Sequence, residues 1–142
     1  MTHSAQWQSL LKAWLSNEEA LLCLPGPVDP GAIAAELTAI GIDAATVKLG
    51  VADDKANMMQ AFQRDLNWPD WFGANWDALA DLLMGAEDQG ARPRVLFLCG
   101  WAAFAARAPD TAATLIEIIE DVSRDRHSLL VGAICCDCGN LP

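Results

Sequence analysis

The sequence predicts an α/β fold in which a small, mainly parallel sheet packs against helices. Short runs of apolar residues alternate along the chain with longer segments in which apolar residues recur every three or four positions. The first pattern is typical of buried strands and the second of amphipathic helices, and their alternation favours parallel strands joined by helices. With 142 residues and 53% hydrophobic content, the chain is long enough to bury a core as one domain, residues 1–142.

The first 44 residues predict a helix, a strand and a second helix. Residues 5–15 carry tryptophan and leucine at helical spacing, and residues 20–24 form a short apolar run that the prolines at 25 and 27 should end. Residues 30–40 predict a helix because a proline lies in the first turn and Gly41 follows the last. This segment is too short for an independent domain, but it could extend the sheet by one strand through a right-handed crossover.

The rest of the chain predicts three more strands and four more helical segments. The strands are expected at residues 46–49, 94–99 and 129–136. The helices are expected at residues 54–66, from 76 to a stop at Gly85, at 101–105 as a single turn, and at 110–126. Residues 86–93 are the clearest flexible loop.

The most informative segment is residues 68–83, Trp-Pro-Asp-Trp-Phe-Gly-Ala-Asn-Trp-Asp-Ala-Leu-Ala-Asp-Leu-Leu. Asn75 is a favourable N-cap because its side chain can accept a hydrogen bond from a free amide of the first helical turn. Gly73, just upstream, permits a tight turn without a Cβ penalty. These residues predict that a helix begins near Trp76.

On that helix, Asp77 and Asp81 lie about 40° apart and share the face opposite the apolar arc. The apolar arc, which we expect to be buried, contains Trp76, Leu79, Leu82 and Leu83. One interpretation of the paired acidic residues is a solvated helix face without a binding role. The aromatic residues Trp71 and Phe72, immediately before the cap, favour the alternative of a recognition surface for a cationic partner.

This segment resembles the motif of the barstar family, small intracellular inhibitors of a secreted bacterial ribonuclease. The family motif Leu-Pro-(acid)-Tyr-Tyr-Gly-x-Asn-Leu-Asp-Ala-Leu-Trp-Asp aligns without gaps with residues 68–81. The proline, the glycine, the asparagine and both aspartates are in register. The order of elements from about residue 45 to residue 136 is also similar, which implies a barstar-like core at 45–138 and an N-terminal extension at 1–44.

By position, the resemblance implies that Asp77 and Asp81 are the two inhibitory aspartates and that Trp71 is the aromatic contact. It also implies that Gly73 and Asn75 are the turn glycine and the helix asparagine of the partner-binding segment. No catalytic residue is implied.

Two further positions bear on the strength of the resemblance. An acidic contact from the family's last helix falls on or near Asp121, where glutamate is usual. Ala80 stands where the family has a tryptophan between the two aspartates, so a large contact surface is absent from this helix. The pattern of charge is retained, while the identity and tightness of any ribonuclease partner are left open.

The charge balance favours a basic protein partner. Nineteen Asp and Glu against nine Lys and Arg give a net charge of −10, which argues against direct nucleic-acid binding because phosphate contacts need cationic side chains. An acidic surface would speed association with a basic cleft. No secretory signal or apolar run of membrane-spanning length is evident, so we expect a cytoplasmic protein.

The five cysteines fit a reducing compartment, and neither a metal nor a cofactor is expected. Cys135, Cys136 and Cys138 lie close together, but no second ligand pair at zinc-type spacing accompanies them. The cysteines of the last strand are therefore expected to behave as small buried hydrophobes.

Three functions remain in view. The first is a barstar-like inhibitor that blocks a ribonuclease active site through the acidic helix face. The second is an acidic interaction module whose basic partner is not a ribonuclease. Ala80 and the N-terminal extension support this second hypothesis. The third is an enzyme that uses Asp77 and Asp81 in acid–base chemistry. The third is disfavoured because the chain has only two histidines and no nucleophile, P-loop or dinucleotide motif.

Overall fold

The computed structural model describes residues 2–17, 19–69, 73–85 and 92–137. Within these ranges the chain alternates helices and strands as the sequence predicts for an α/β fold. The elements, in chain order, are α1 (Thr2–Leu15), β1 (Leu21–Pro27), α2 (Pro30–Ala39), β2 (Asp43–Lys48), α3 (Lys55–Asp65), α4 (Trp76–Met84), β3 (Arg94–Cys99), α5 (Trp101–Arg107), α6 (Pro109–Arg124) and β4 (Leu130–Asp137).

The four strands form a parallel sheet in the order β1-β4-β3-β2. The central strand β3 is buried from Val95 to Cys99, as expected for a strand covered on both faces. The first 44 residues do add a strand, because β1 pairs with β4 from Leu21 opposite Ala133 onward. The extension therefore supplies one edge of the sheet.

Helices cover both faces of this sheet and create two apolar cores. On one face, residues of α3, α4, α5 and α6 pack on the strands, including the fully buried Phe62, Leu79, Phe104 and Ile119. On the other face, α1 and α2 contribute Trp7, Trp14, Ile33 and Leu37. The helix that carries the two motif aspartates thus packs on the face opposite the N-terminal helices.

Two strand boundaries differ from the sequence prediction. β1 does not stop at residue 24 but continues to Pro27, with a register shift after Cys23. An edge strand tolerates proline because no neighbour on its outer side needs the missing N–H. β2 begins at Asp43, three residues before the predicted start, because pairing with β3 from Arg94 recruits two alanines that have little strand preference of their own. The predicted loop at residues 86–93 lies mostly outside the described residues.

The cysteines follow the prediction in part. Cys135 and Cys136 are buried among apolar side chains of the last strand, as expected. Cys99, in contrast, is disulfide-bonded, which the sequence pattern did not predict. Among the described residues, no group of three or more His, Cys, Asp or Glu side chains is arranged to hold a metal ion.

None of the helices in the described ranges is both long and apolar enough to cross a membrane.

Candidate functional site

The helix α4 begins where the sequence places its cap. The Asn75 backbone is extended, and its side-chain oxygen accepts a hydrogen bond of 2.8 Å from the amide of Ala78. This bond pairs one of the amides that the first turn leaves without a partner. The cap sets the direction in which α4 leaves the preceding turn, and with it the direction of the acidic face.

Replacement of Asn75 by alanine is expected to lower the free energy of unfolding by about 1 kcal/mol, because the Ala78 amide loses its acceptor. Urea denaturation followed by circular dichroism measures the change. Asn75→Asp is the matched control, since aspartate caps a helix about as well as asparagine. Equal losses in the two variants would mean that the cap hydrogen bond does not stabilise the fold.

The turn before the cap needs a residue without a Cβ at position 73, as the sequence predicts. The residue with positive φ is Ala74, at 51°, and not Gly73. Gly73 is required by a close approach, because a Cβ built on it would lie 2.8 Å from Nδ2 of Asn75. That amide nitrogen also donates to the Gly73 carbonyl at 3.5 Å. The glycine thus makes room for the capping side chain.

The other end of α4 is closed by a left-handed glycine and a charged side chain. Gly85 has a φ of 64°, as the predicted helix stop requires. The Arg94 guanidinium donates to the carbonyls of Leu82 and Leu83 at 3.0 and 3.5 Å, and the Leu129 amide donates to Met84 at 2.8 Å. These bonds pair carbonyls that a helix end leaves free, and they attach α4 to β3 and to the start of β4.

The two faces of α4 separate as the sequence predicts. Leu79 and Leu83 are 0% and 1% exposed and belong to the core, whereas Asp77 and Asp81 are both exposed. The two carboxylates lie one helical turn apart on the solvent side, and Ala80 between them is partly buried. The repulsion between like charges at this spacing is only a few tenths of a kcal/mol. The helix therefore presents two negative charges on a rigid, exposed support.

Trp76 differs from the prediction that it is a core residue. It is only partly buried, packing against the core beneath α4, and the Lys55 ammonium lies 5.3 Å from the centroid of its ring. Lys55 is the first residue of α3, so this cation–π contact joins the starts of two helices. Trp76 therefore lies at the edge of the apolar arc of α4, where its ring is partly exposed to solvent.

The third acidic position lies on a neighbouring helix. Asp121 is exposed near the end of α6, which packs against α4. Its helical neighbours Glu117 and Arg124 are exposed on the same side. The fold thus places Asp121 and the two motif aspartates on the exposed sides of two adjacent helices.

The predicted aromatic contact Trp71 lies outside the described residues, as do Asp70 and Phe72. The chain that leads to them is well anchored. Trp68 stacks on Phe62 with ring centroids 5.7 Å apart, and the Gln63 side chain donates to the Pro69 carbonyl at 3.1 Å. Gly73 and Asn75, on the other side of this gap, are both exposed.

Two residues that shape this surface were missed in the sequence. Arg94 is 12 positions from its hydrogen-bond partner Leu82, and Lys55 is far from Trp76 along the chain. Neither position carries a local signal, because helix-capping rules and i, i+4 pairing apply only within one element. Their roles follow from how the sheet and helices are assembled.

The family model described as Barstar (barnase inhibitor) matches residues 42–132. No curated protein matches at a significant level. Among solved structures, the Aeropyrum pernix ORC2 protein, in ADPNP–ADP complexes, is similar with a TM-score of 0.56 and 18% sequence identity. This similarity covers 96% of the chain but only 40% of the ORC2 chain, and at this identity it concerns the fold alone.

Proposed function

Because the chain belongs to the barstar family, we propose that it is an inhibitor that binds a ribonuclease and blocks its active site with the acidic face of α4. The observation that carries this proposal is the exposure of Asp77 and Asp81 one turn apart on a helix that buries Leu79 and Leu83 on its opposite side. Trp71, Gly73, Asn75 and Asp121 belong to the same proposed surface. We place the interaction in the cytoplasm.

Charge provides the physical basis of this recognition. A ribonuclease active site must hold RNA phosphates and so presents cationic side chains, which carboxylates can occupy in place of phosphate. The chain has a net charge of −10, which attracts such a cleft from a distance. The capped and anchored α4 holds its carboxylates in place before binding, which reduces the entropy lost on association.

The proposal assigns no catalytic residue, metal or cofactor to the chain. Catalytic carboxylates usually depend on burial or on a coupled neighbour. Asp77 and Asp81 are instead open to solvent. Their geometry suits binding of a cationic protein surface better than proton transfer.

Affinity capture tests the proposal. The full chain is immobilised and exposed to lysate and culture medium of its source cells, and the eluate is assayed for RNA cleavage with and without added free chain. The matched control bait is Asp77→Asn/Asp81→Asn, which keeps the size of both side chains but removes their charge. We expect the parent bait to retain a ribonuclease that free chain inhibits, and the control bait to retain much less. Capture of a partner without ribonuclease activity would overturn the proposal.

A basic partner that is not a ribonuclease is the second candidate. Ala80 favours it, because this small side chain leaves no large aromatic surface between the two aspartates. Aromatic residues often dominate interface energetics, so a different residue here changes which partners fit. The same capture experiment separates the two candidates by the activity of the eluate.

Association with the true partner is expected to slow steeply as salt is raised, because opposite charges that steer two proteins together are screened over about 10 Å at 0.1 M ionic strength. The dissociation rate should change little. Stopped-flow mixing at several salt concentrations measures both rates. An association rate that is indifferent to salt would exclude electrostatic steering as the recognition mechanism.

A further inference from the structure

A pair of cysteines joins the N-terminal extension to the family core. Cys23 of β1 lies directly opposite Cys135 of β4 in the parallel register. Neighbouring strands are about 4.8 Å apart, which falls inside the Cα separation that a disulfide can span. The pairing of β1 with β4 therefore holds these two residues at a backbone separation that a disulfide can bridge.

The two thiols differ in their surroundings. Cys23 is exposed and Cys135 is buried, and both line a cavity of about 480 Å³ beside the start of α5. Burial raises the pKa of the Cys135 thiol, and the adjacent Cys23 raises it further. A reagent in solution therefore reaches the exposed Cys23 more readily than the buried Cys135, and the raised pKa keeps the Cys135 thiol protonated.

The remaining described cysteines lie on the other face of the sheet. Cys99 and Cys136 are register partners and pack in the core covered by α1 and α2, whereas Cys135 packs in the opposite core. The side chain of Cys136 alternates with that of Cys135 across the strand, so it points away from Cys23. Cys99 is in addition already disulfide-bonded.

We propose that Cys23 and Cys135 are an oxidisable thiol pair that forms a reversible disulfide between β1 and β4. The Cys23 thiolate attacks one sulfur of a small disulfide such as oxidised glutathione, forming a mixed disulfide and releasing one glutathione thiolate. Cys135 then loses its proton to solvent and attacks the Cys23 sulfur, which closes the Cys23–Cys135 bond and releases a second glutathione. The two cysteines lose two electrons in total, and the small disulfide gains them.

Mass spectrometry of the full chain after incubation with oxidised glutathione tests this inference. The remaining thiols are alkylated with iodoacetamide before trypsin digestion. Cys23 is the single cysteine between Lys12 and Lys48, so any linked peptide from that stretch contains it. Before alkylation, we expect the intact chain to have lost the mass of two hydrogen atoms, and after digestion we expect a link between this peptide and the one that follows Arg126.

Three variants identify the partner of Cys23. Cys135→Ala should abolish the link and accumulate at least about tenfold more glutathione mixed disulfide at Cys23 than the parent, because the second attack is lost. Cys136→Ala is the matched control on the opposite face and should keep the link. Cys23→Ser, at an exposed position that leaves the core intact, should also abolish it.

The inference would be overturned by a link that persists in Cys135→Ala, or by a parent chain that accumulates only the mixed disulfide at Cys23. A parent chain that reacts at neither cysteine would overturn it equally. None of these readouts depends on the ribonuclease or on the acidic face of α4. Failure here would therefore leave the proposed function unaffected.

Discussion

Replacement of Asp81 by alanine is expected to weaken inhibition of the captured ribonuclease by at least about thirtyfold, which corresponds to about 2 kcal/mol. The family resemblance implies that Asp81 is the acid that would enter deepest into the phosphate-binding site of the enzyme, and this role stays a prediction. Its removal would leave several cationic groups buried and without a partner, and that penalty is large in a desolvated interface. Inhibition constants from titration of the ribonuclease with each variant measure the effect.

Asp77→Ala is the comparison for this experiment, and we expect a smaller loss of inhibition from it. Both aspartates are exposed on α4, so neither substitution should disturb the core. Circular dichroism must first confirm that each variant is folded. If Asp81→Ala inhibits as well as the parent chain, the barstar-like mode of binding is wrong for this protein even though the family assignment stands.

Replacement of Leu79 by alanine is expected to lower the free energy of unfolding by about 2–5 kcal/mol, since a fully buried leucine is lost and a cavity remains. Leu79 is 0% exposed on the buried side of α4. Urea denaturation at constant pH gives the change in stability.

Trp76→Ala should lower the free energy of unfolding by less than the loss of a core aromatic would, because the ring is only partly buried. Asp81→Ala should change stability by no more than about 0.5 kcal/mol, which makes it the surface control on the same helix. A loss in Trp76→Ala equal to that in Leu79→Ala would mean that the tryptophan is a core residue after all, as the sequence pattern predicts.

Local patterns in the sequence were sufficient for most of the helices and strands. The cap at Asn75, the stop at Gly85 and the alternation of Leu79 and Leu83 with Asp77 and Asp81 are all confirmed. Each depends on residues within one or two turns of a single helix, where hydrogen bonding and periodicity act over short distances along the chain. The motif at residues 68–81 also identifies the family, which the match over residues 42–132 confirms.

Partner binding stays a prediction for all six proposed site residues. Trp71 lies outside the described residues, whereas Gly73, Asn75, Asp77, Asp81 and Asp121 are all exposed.

Other features could be decided only by the tertiary structure. The pairing of β1 with β4, the guanidinium of Arg94 at the end of α4, and the Lys55 ammonium over Trp76 each join residues that are distant in sequence. The pairing of Cys23 with Cys135 joins residues that are more than 100 positions apart in sequence. Sequence periodicity reports which face of an element is apolar, but it contains no information about which other element covers that face. Which elements pack together is determined when the sheet is assembled and its two cores are packed, so these contacts are seen only in the folded chain.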